Sequence, residues 1–311
     1  MAIAVVGNVF VDIKGFPLGK YDPLGKNAGQ VLTVHGGVGR NVAEDIANLE
    51  LRPSFVSMVD DTAQGLEVLE DLRLHGVDTR YVLRTPGGMG LWLAIFDSAG
   101  DLAGSISKRP VMTAMEALLE QRGDEIFAGA DSIVLEIDMD PPIVRRVLDY
   151  AEKYSKRVCA VVANMNIAVL HREQIRRVDC LVCNVQEAGI LFGRELSALE
   201  PDMLAEALSG LLESETMGSV AVTLGGRGAV FAERGGAAGY LPAKAVAVRD
   251  TTGAGDAFCA GVAAGLTYGK TLADAVALGN RLGASAITVA ENVCPHFLPS
   301  ELGLEPPVRG R

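Results

Sequence analysis

Short apolar runs alternate with amphipathic segments along almost the whole chain, and this alternation limits the folds open to it. Ile3–Val6, Ser54–Met58, Ser132–Leu135, Val158–Val162, Cys180–Cys183 and Ser219–Thr223 read as strands. Helices fall between them at Asn41–Leu49, Gln64–Leu74, Pro142–Lys153 and Pro201–Leu212, the first with Val42, Ile46 and Leu49 on one face. The βαβα order predicts an α/β fold, a mostly parallel sheet with helices on both faces. Right-handed crossovers and a ligand crevice at the C-terminal strand ends follow from that architecture.

Two early segments break the rhythm. Asp12–His35 carries no helical pattern, and its second half, Gln30–His35, reads as a strand. Leu91–Asp97 and Leu102–Ser107 read as a hairpin around Ser98-Ala99-Gly100-Asp101, because Gly and Asp suit a tight turn. Segments at about 12–36 and 89–109 can therefore form a small second sheet, or else a plain surface ribbon. At 311 residues the chain has room for one large α/β domain or two average ones. With 49% hydrophobic but only 5% aromatic residues, its core must be aliphatic. Without repeats or long linkers, a single domain over residues 1–311 with a small extra sheet is the expectation.

A net charge of −11 opposes binding to nucleic acid or an anionic membrane, but not to ATP, whose phosphates local amides can hold. No apolar stretch reaches the roughly 18 residues of a membrane span. The N-terminal MAIAVVGNVFVDIKG has no basic leader and reads as a buried strand, not an export signal. Cys159, Cys180, Cys183, Cys259 and Cys294 are odd in number, and Cys180 and Cys183 would face opposite sides of a strand. All five read as reduced core residues of a cytoplasmic protein. His35, His75, His171 and His296 show no metal spacing.

The chemistry concentrates in Asp250-Thr251-Thr252-Gly253-Ala254-Gly255-Asp256-Ala257-Phe258, which leads into a helix over about Ala254–Leu266. Free amides of Gly253, Ala254 and Gly255 at a helix start make an anion site, and their small side chains let a phosphate approach. Asp256, in the first turn, is placed to take a proton from an alcohol; with an ordinary carboxylate pKa it would be ionised at pH 7. Its plain alternative is an acid that favours the helix dipole.

This string closely resembles the second signature of the ribokinase/PfkB carbohydrate-kinase family. Gly36-Gly37-Val38-Gly39-Arg40-Asn41-Val42-Ala43 resembles the first signature, with Glu50 a departure where Gly or Ser is expected after the helix. The resemblance implies a ribokinase-like fold whose small sheet is a lid over the substrate. It implies that Asp12, Gly37 and Asn41 contact sugar hydroxyls, with Asp138 near the substrate and Glu136 its rival. Asn184-Val185-Gln186-Glu187 resembles the family's N-x-x-E motif, which implies that Glu187 organises Mg²⁺ through water; a simple capping arrangement is the alternative. Thr223-Leu224-Gly225-Gly226-Arg227-Gly228 resembles the T-x-G-x-x-G turn along the nucleotide, implying contacts from Thr223, Gly225 and Gly228. Asn280, on a helix over Leu272–Ala286, falls where relatives contact adenine. Asp250 and Thr252 hold the loop or bind a monovalent cation such as K⁺, as in some members. Asn164 and Asn166, in Ala163-Asn164-Met165-Asn166, stand where many relatives have Asp or Asn-Pro. Lys108 and Arg109 end the lid hairpin as solvated charges.

The implied activity is ATP-dependent, Mg²⁺-requiring phosphorylation of a hydroxymethyl group on a sugar or nucleoside. GGVGRNVAEDIANL and the late Glu291–Pro295 segment look most like the pseudouridine-kinase branch. A pentose or hexose kinase, and a catalytically silent binder of nucleotide or sugar, are the alternatives. A homodimer formed through the lid is also expected, since covering the lid's open face would bury apolar area.

Overall fold

A computed structural model describes residues 1–304 of the chain. It opens with β1 (Ile3–Val6), β2 (Phe10–Pro17), β3 (Gly29–Gly36), α1 (Val38–Ala47), β4 (Ser54–Val59), α2 (Ala63–Leu74) and β5 (Asp78–Arg84). Next come β6 (Gly90–Phe96), β7 (Leu102–Lys108), α3 (Thr113–Ala128), β8 (Ser132–Glu136), α4 (Pro141–Lys153) and β9 (Arg157–Val161). The single-turn helices α5 (Met165–Ala168) and α6 (Arg172–Ile175) lead to β10 (Cys180–Asn184), α7 (Val185–Phe192), α8 (Pro201–Leu212) and β11 (Ser219–Thr223). The chain then runs through β12 (Ala229–Glu233), β13 (Ala238–Leu241), α9 (Ala254–Thr267) and α10 (Leu272–Ala286).

Nine strands form one sheet in the order β13-β12-β11-β10-β9-β8-β1-β4-β5, parallel except where β12 pairs with its two neighbours. The central strands are apolar on both faces because both are covered. Alternate residues enter two separate cores: Leu181 and Cys183 join the side packed by α3, α4, α7 and α8, while Cys180 and Val182 join the side packed by α1, α2, α9 and α10. Cys180 and Cys183 thus face opposite ways, and all five cysteines are free and buried. No helix among the described residues is long and apolar enough to cross a membrane.

The second sheet, ordered β3-β2-β6-β7, is built from the two segments that broke the rhythm. Register puts Val34, Asp12, Trp92 and Ser107 in one row of one face, and Leu32, Lys14, Ala94 and Ser105 in the next. Thr33, Ile13, Leu93 and Ile106 form a row on the opposite face. The first face overhangs the C-terminal end of the large sheet, where β1 and β8 deliver their last residues.

Candidate active site

Beneath the small sheet lies a cavity of about 660 Å³. Phe10, Asp12, Trp92, Ser105 and Ser107 line it from above; Asn8, Gly37, Asn41, Glu136, Asp138, Asn164, Thr252 and Asp256 line it from the large sheet's edge and the helix starts. Residues more than 200 positions apart meet here because β1, β8 and α9 all end or begin at this edge.

Two glycines set the backbone. Gly37 caps α1 with φ 101°, and a side chain there would press on Asn8 O. Gly253 precedes α9 in the left-handed region at φ 79°, and a Cβ would overlap Asn292 O. The irregular stretch behind Gly253 is itself pinned to α1: Asp45 accepts from Cys294 N at 2.6 Å, and Asn48 donates to Cys294 O at 2.7 Å. Before the turn, Asp250 accepts from the amide (2.9 Å) and hydroxyl (2.8 Å) of Thr252, which shapes the loop. Burial works against ionising Asp250, but these bonds and the Lys14 charge hold its carboxyl below the usual value.

Asp256 points inward and not into solvent. Its Oδ2 accepts from Asn41 Nδ2 at 2.7 Å, joining the late acid to the helix that follows the early Gly-Gly turn. Part of its surface opens to the cavity, but protein crowds the rest, and this desolvation pushes its carboxyl up to about 7. The negative charges of Asp12 and Glu187 push the same way, against the Asn41 bond and the Arg40 charge. The expected ordinary carboxylate pKa is therefore corrected: near pH 7 this acid is poised between its two forms. Burial also raises the carboxyl of Asp12.

Asn41 is oriented from behind. Arg40, itself buried, donates to Asn41 Oδ1 at 3.0 Å, so the amide nitrogen must face Asp256. Arg40 is held by ion pairs to Glu44 and to Asp71 (3.4 Å). Glu44, Asp71 and His75 come close enough together to suggest a cation, but Arg40 already supplies positive charge there. His35 turns to Asp71 at 3.4 Å, away from the cavity, as a lid-strand residue would.

Both rival acids line the cavity, but Asp138 is the less engaged of the two. It is buried, with Oδ1 accepting from Ala163 N at 2.8 Å; burial raises its carboxyl. Glu136 instead ties elements together, accepting from Asn8 N (2.8 Å), Asn8 Nδ2 (2.6 Å) and Gly39 N (3.2 Å). Burial and the neighbouring Asp138 charge push its carboxyl up to about 7. Arg109 is exposed, as expected of a charge at the hairpin's end, but it also donates to Asp138 O at 2.9 Å, pairs with Asp140 at 3.6 Å and borders the cavity. Asn164 caps α5, so the unusual Ala163–Asn166 segment supplies the amide that fixes Asp138.

The nucleotide-side positions do not line this cavity. Asn184 and Glu187 form a reciprocal capping box at the start of α7, with bonds of 2.9 and 2.7 Å. The Glu187 carboxyl is raised by burial, and its second oxygen makes no hydrogen bond among the described residues. Thr223 ends β11, and Gly225 and Gly228 turn the chain through left-handed φ values into β12, with no α-helix following. Asn280 donates to Leu241 O at 3.1 Å, tethering the end of β13. Asn8, Trp92, Ser105 and Ser107 were not expected at the site. The chain's single tryptophan on the lid hairpin was a legible signal; the serines and Asn8 carried none.

Comparison with known proteins agrees with this architecture. A model of the pfkB family carbohydrate kinases matches residues 2–293. The chain is 32% identical to a guanosine-inosine kinase of Exiguobacterium acetylicum, over 93% of this chain and 95% of that one. It is 24% identical to a pseudouridine kinase of Escherichia coli (strain K12), over 92% and 90% respectively. The Arabidopsis thaliana ribokinase structure complexed with ribose and ATP superimposes with a TM-score of 0.80 at 21% identity, covering 98% of each chain.

Proposed function

The chain belongs to the pfkB family of carbohydrate kinases, and on that premise we propose that it transfers the terminal phosphoryl of ATP to the hydroxymethyl group of a nucleoside. The observation that carries this reading is the Asn41–Asp256 contact inside one cavity with Asp12 and the start of α9. Asp12 and Asp138 accept hydroxyl hydrogens from the sugar, while Asp256 faces the reacting hydroxymethyl. The alcohol oxygen forms the new bond to phosphorus as the bond to the bridging oxygen of ADP breaks. The alcohol's proton passes to the Asp256 carboxylate. Amides of Gly253 and Gly255 stabilise the charge on the phosphoryl oxygens; that of Ala254, expected to be free, donates to Thr251 O at 3.4 Å and joins them only by giving up that bond.

Thr223, Gly225, Gly228, Asn184 and Asn280 flank the nucleotide in this reading. Glu187, through its unengaged oxygen, would hold Mg²⁺ by way of water, and Asp250 and Thr252 would stand beside a monovalent cation. A bound divalent ion offsets phosphate charge. Closing the lid excludes water from the transfer.

The acceptor is best read as a 6-oxopurine nucleoside. The cavity suits a nucleoside-sized ligand, Trp92 offers a stacking face, and Arg109 keeps donors suited to the O6/N7 edge of such a base. The guanosine-inosine kinase relative supports this choice. Pseudouridine is the second reading, supported by the GGVGRNVAEDIANL run and the 24% relative. Phosphorylation assays with ATP and guanosine, inosine, pseudouridine or ribose decide among them. We expect guanosine and inosine to give the highest kcat/KM, with activity lost about 10²–10⁴-fold in Asp256→Asn. Ribose as the preferred acceptor would end the nucleoside reading. Saturable binding without any turnover would make the protein a silent binder.

A further inference from the structure

Lys14 stands beside the cleft, and the proposed chemistry leaves its placement unexplained. It lies on the lid strand β2, two residues beyond Asp12, so both side chains leave the strand on its cavity-facing side. Leu32 and Ala94 flank it in register, and Ser105, beside Ala94, lines the cavity. The residue is 8% exposed. Among the described residues it makes neither a hydrogen bond nor an ion pair; its nearby acids are Asp12 in the acceptor site and Asp250 ahead of the phosphate turn. Its ammonium keeps some contact with solvent but has no close protein partner among the described residues, so its donors stand open to an anion arriving from outside.

We propose that Lys14 is the lid's contact to the phosphoryl group being transferred, pairing with its non-bridging oxygens as the lid closes over the Gly253 turn. This rests on the kinase reading above and adds a second source of positive charge, opposite the α9 amides. Lys14 forms and breaks no covalent bond; its three donors match phosphate oxygens as a compact point charge. Asp12 and Asp250 lie near it, but neither pairs with it directly, so its donors are left for the ligand. That phosphate chemistry has two sources, the terminal phosphoryl of ATP or a phosphate already carried by the acceptor. The nearness of Asp250, on the loop leading to the phosphate turn, favours the first.

The test compares wild type, Lys14→Met and Lys14→Arg by calorimetric titration with ADP and with the β,γ-imido analogue of ATP, without acceptor. We expect Lys14→Met to weaken the analogue at least about tenfold while leaving ADP within about twofold, because only the analogue carries the third phosphate. kcat should fall about 10–100-fold, and Lys14→Arg should recover most of the loss. The ligand-free Met variant should melt close to wild type, since it removes no hydrogen bond or ion pair. Equal weakening of ADP and analogue, or a change confined to acceptor KM, would show that Lys14 merely serves Asp12 and would overturn the proposal. So would loss of turnover only with a phosphorylated acceptor. Wild-type protein that binds no analogue sinks the kinase reading together with the proposal. Wild-type turnover matched by Lys14→Met sinks the proposal alone.

Discussion

Asp256 is where, on the proposed kinase reading, a single side chain carries both a catalytic duty and a cost to the fold. Burial, reinforced by the charges of Asp12 and Glu187, raises its carboxyl to about 7, so below that pH it holds the proton it should be accepting. kcat/KM is therefore expected to rise with pH through an apparent value near 7 and then level off. A profile already flat from pH 5 upward would remove Asp256 as the base. The same shift acts on stability with a fixed sign. The unfolded chain releases this proton near pH 4, whereas the folded chain keeps it to about 7, so stability falls as pH rises across that window. Asp256→Asn, which abolishes the titration, should melt above wild type at pH 8 and level with it near pH 4. Equal melting temperatures at both values would mean that the site does not strain the acid.

Between the residue and the molecule stand the junctions that deliver these side chains, and Glu136 is the most consequential. Placed at the end of β8, it accepts from two donors of Asn8 after β1 and from the amide of Gly39 in the first turn of α1. Glu136→Ala would strand three buried donors and should lower the unfolding free energy by about 2–4 kcal/mol in urea titrations. Glu136→Gln keeps an oxygen for the two backbone amides and lets the Asn8 side chain turn over, so its loss should stay near 1 kcal/mol. An alanine variant as stable as wild type would show the junction to be idle. Elements of this sheet edge were legible wherever pattern and burial agree: Ser219–Thr223, Pro201–Leu212 and Leu272–Ala286 fall where the sequence places them. Helix α3 was not anticipated, although Met115, Leu118, Leu119, Ile126 and Phe127 have helical spacing, and β5, an edge strand, lacked a clear signal. The two signature segments, read from sequence as one site, do meet at one cavity through Gly37, Asn41, Thr252 and Asp256. What sequence does not encode locally is direction, so the parts played by Glu136 and Arg109 emerged only when strand ends 29 to 128 residues apart came side by side.

At the scale of the molecule, the lid has two faces with opposite chemistry, and each implies a partner. The inner face presents Asp12, Lys14 and Trp92 to the cleft. On the outer face, Leu93 and Ile106 pair across their strands and Val31 lies in the next row, with Val31 and Ile106 71% and 70% exposed. Apolar side chains in one patch on a four-stranded sheet are unfavourable in water, and a second copy of the same face would cover them. A symmetric contact of this kind would also stiffen the sheet that carries Asp12 and Lys14, linking assembly to the order of the cleft. We therefore expect wild-type protein to elute from gel filtration at about twice the 32.6 kDa chain mass. Ile106→Glu should shift it to the monomer, because a charge at the centre of an apolar contact has no partner across a symmetric interface. Its effect on acceptor KM should exceed that on ADP affinity, since the lid contributes Asp12 whereas the proposed ADP contacts lie on the large domain. Wild-type protein eluting at the single-chain mass at micromolar concentration would exclude this assembly.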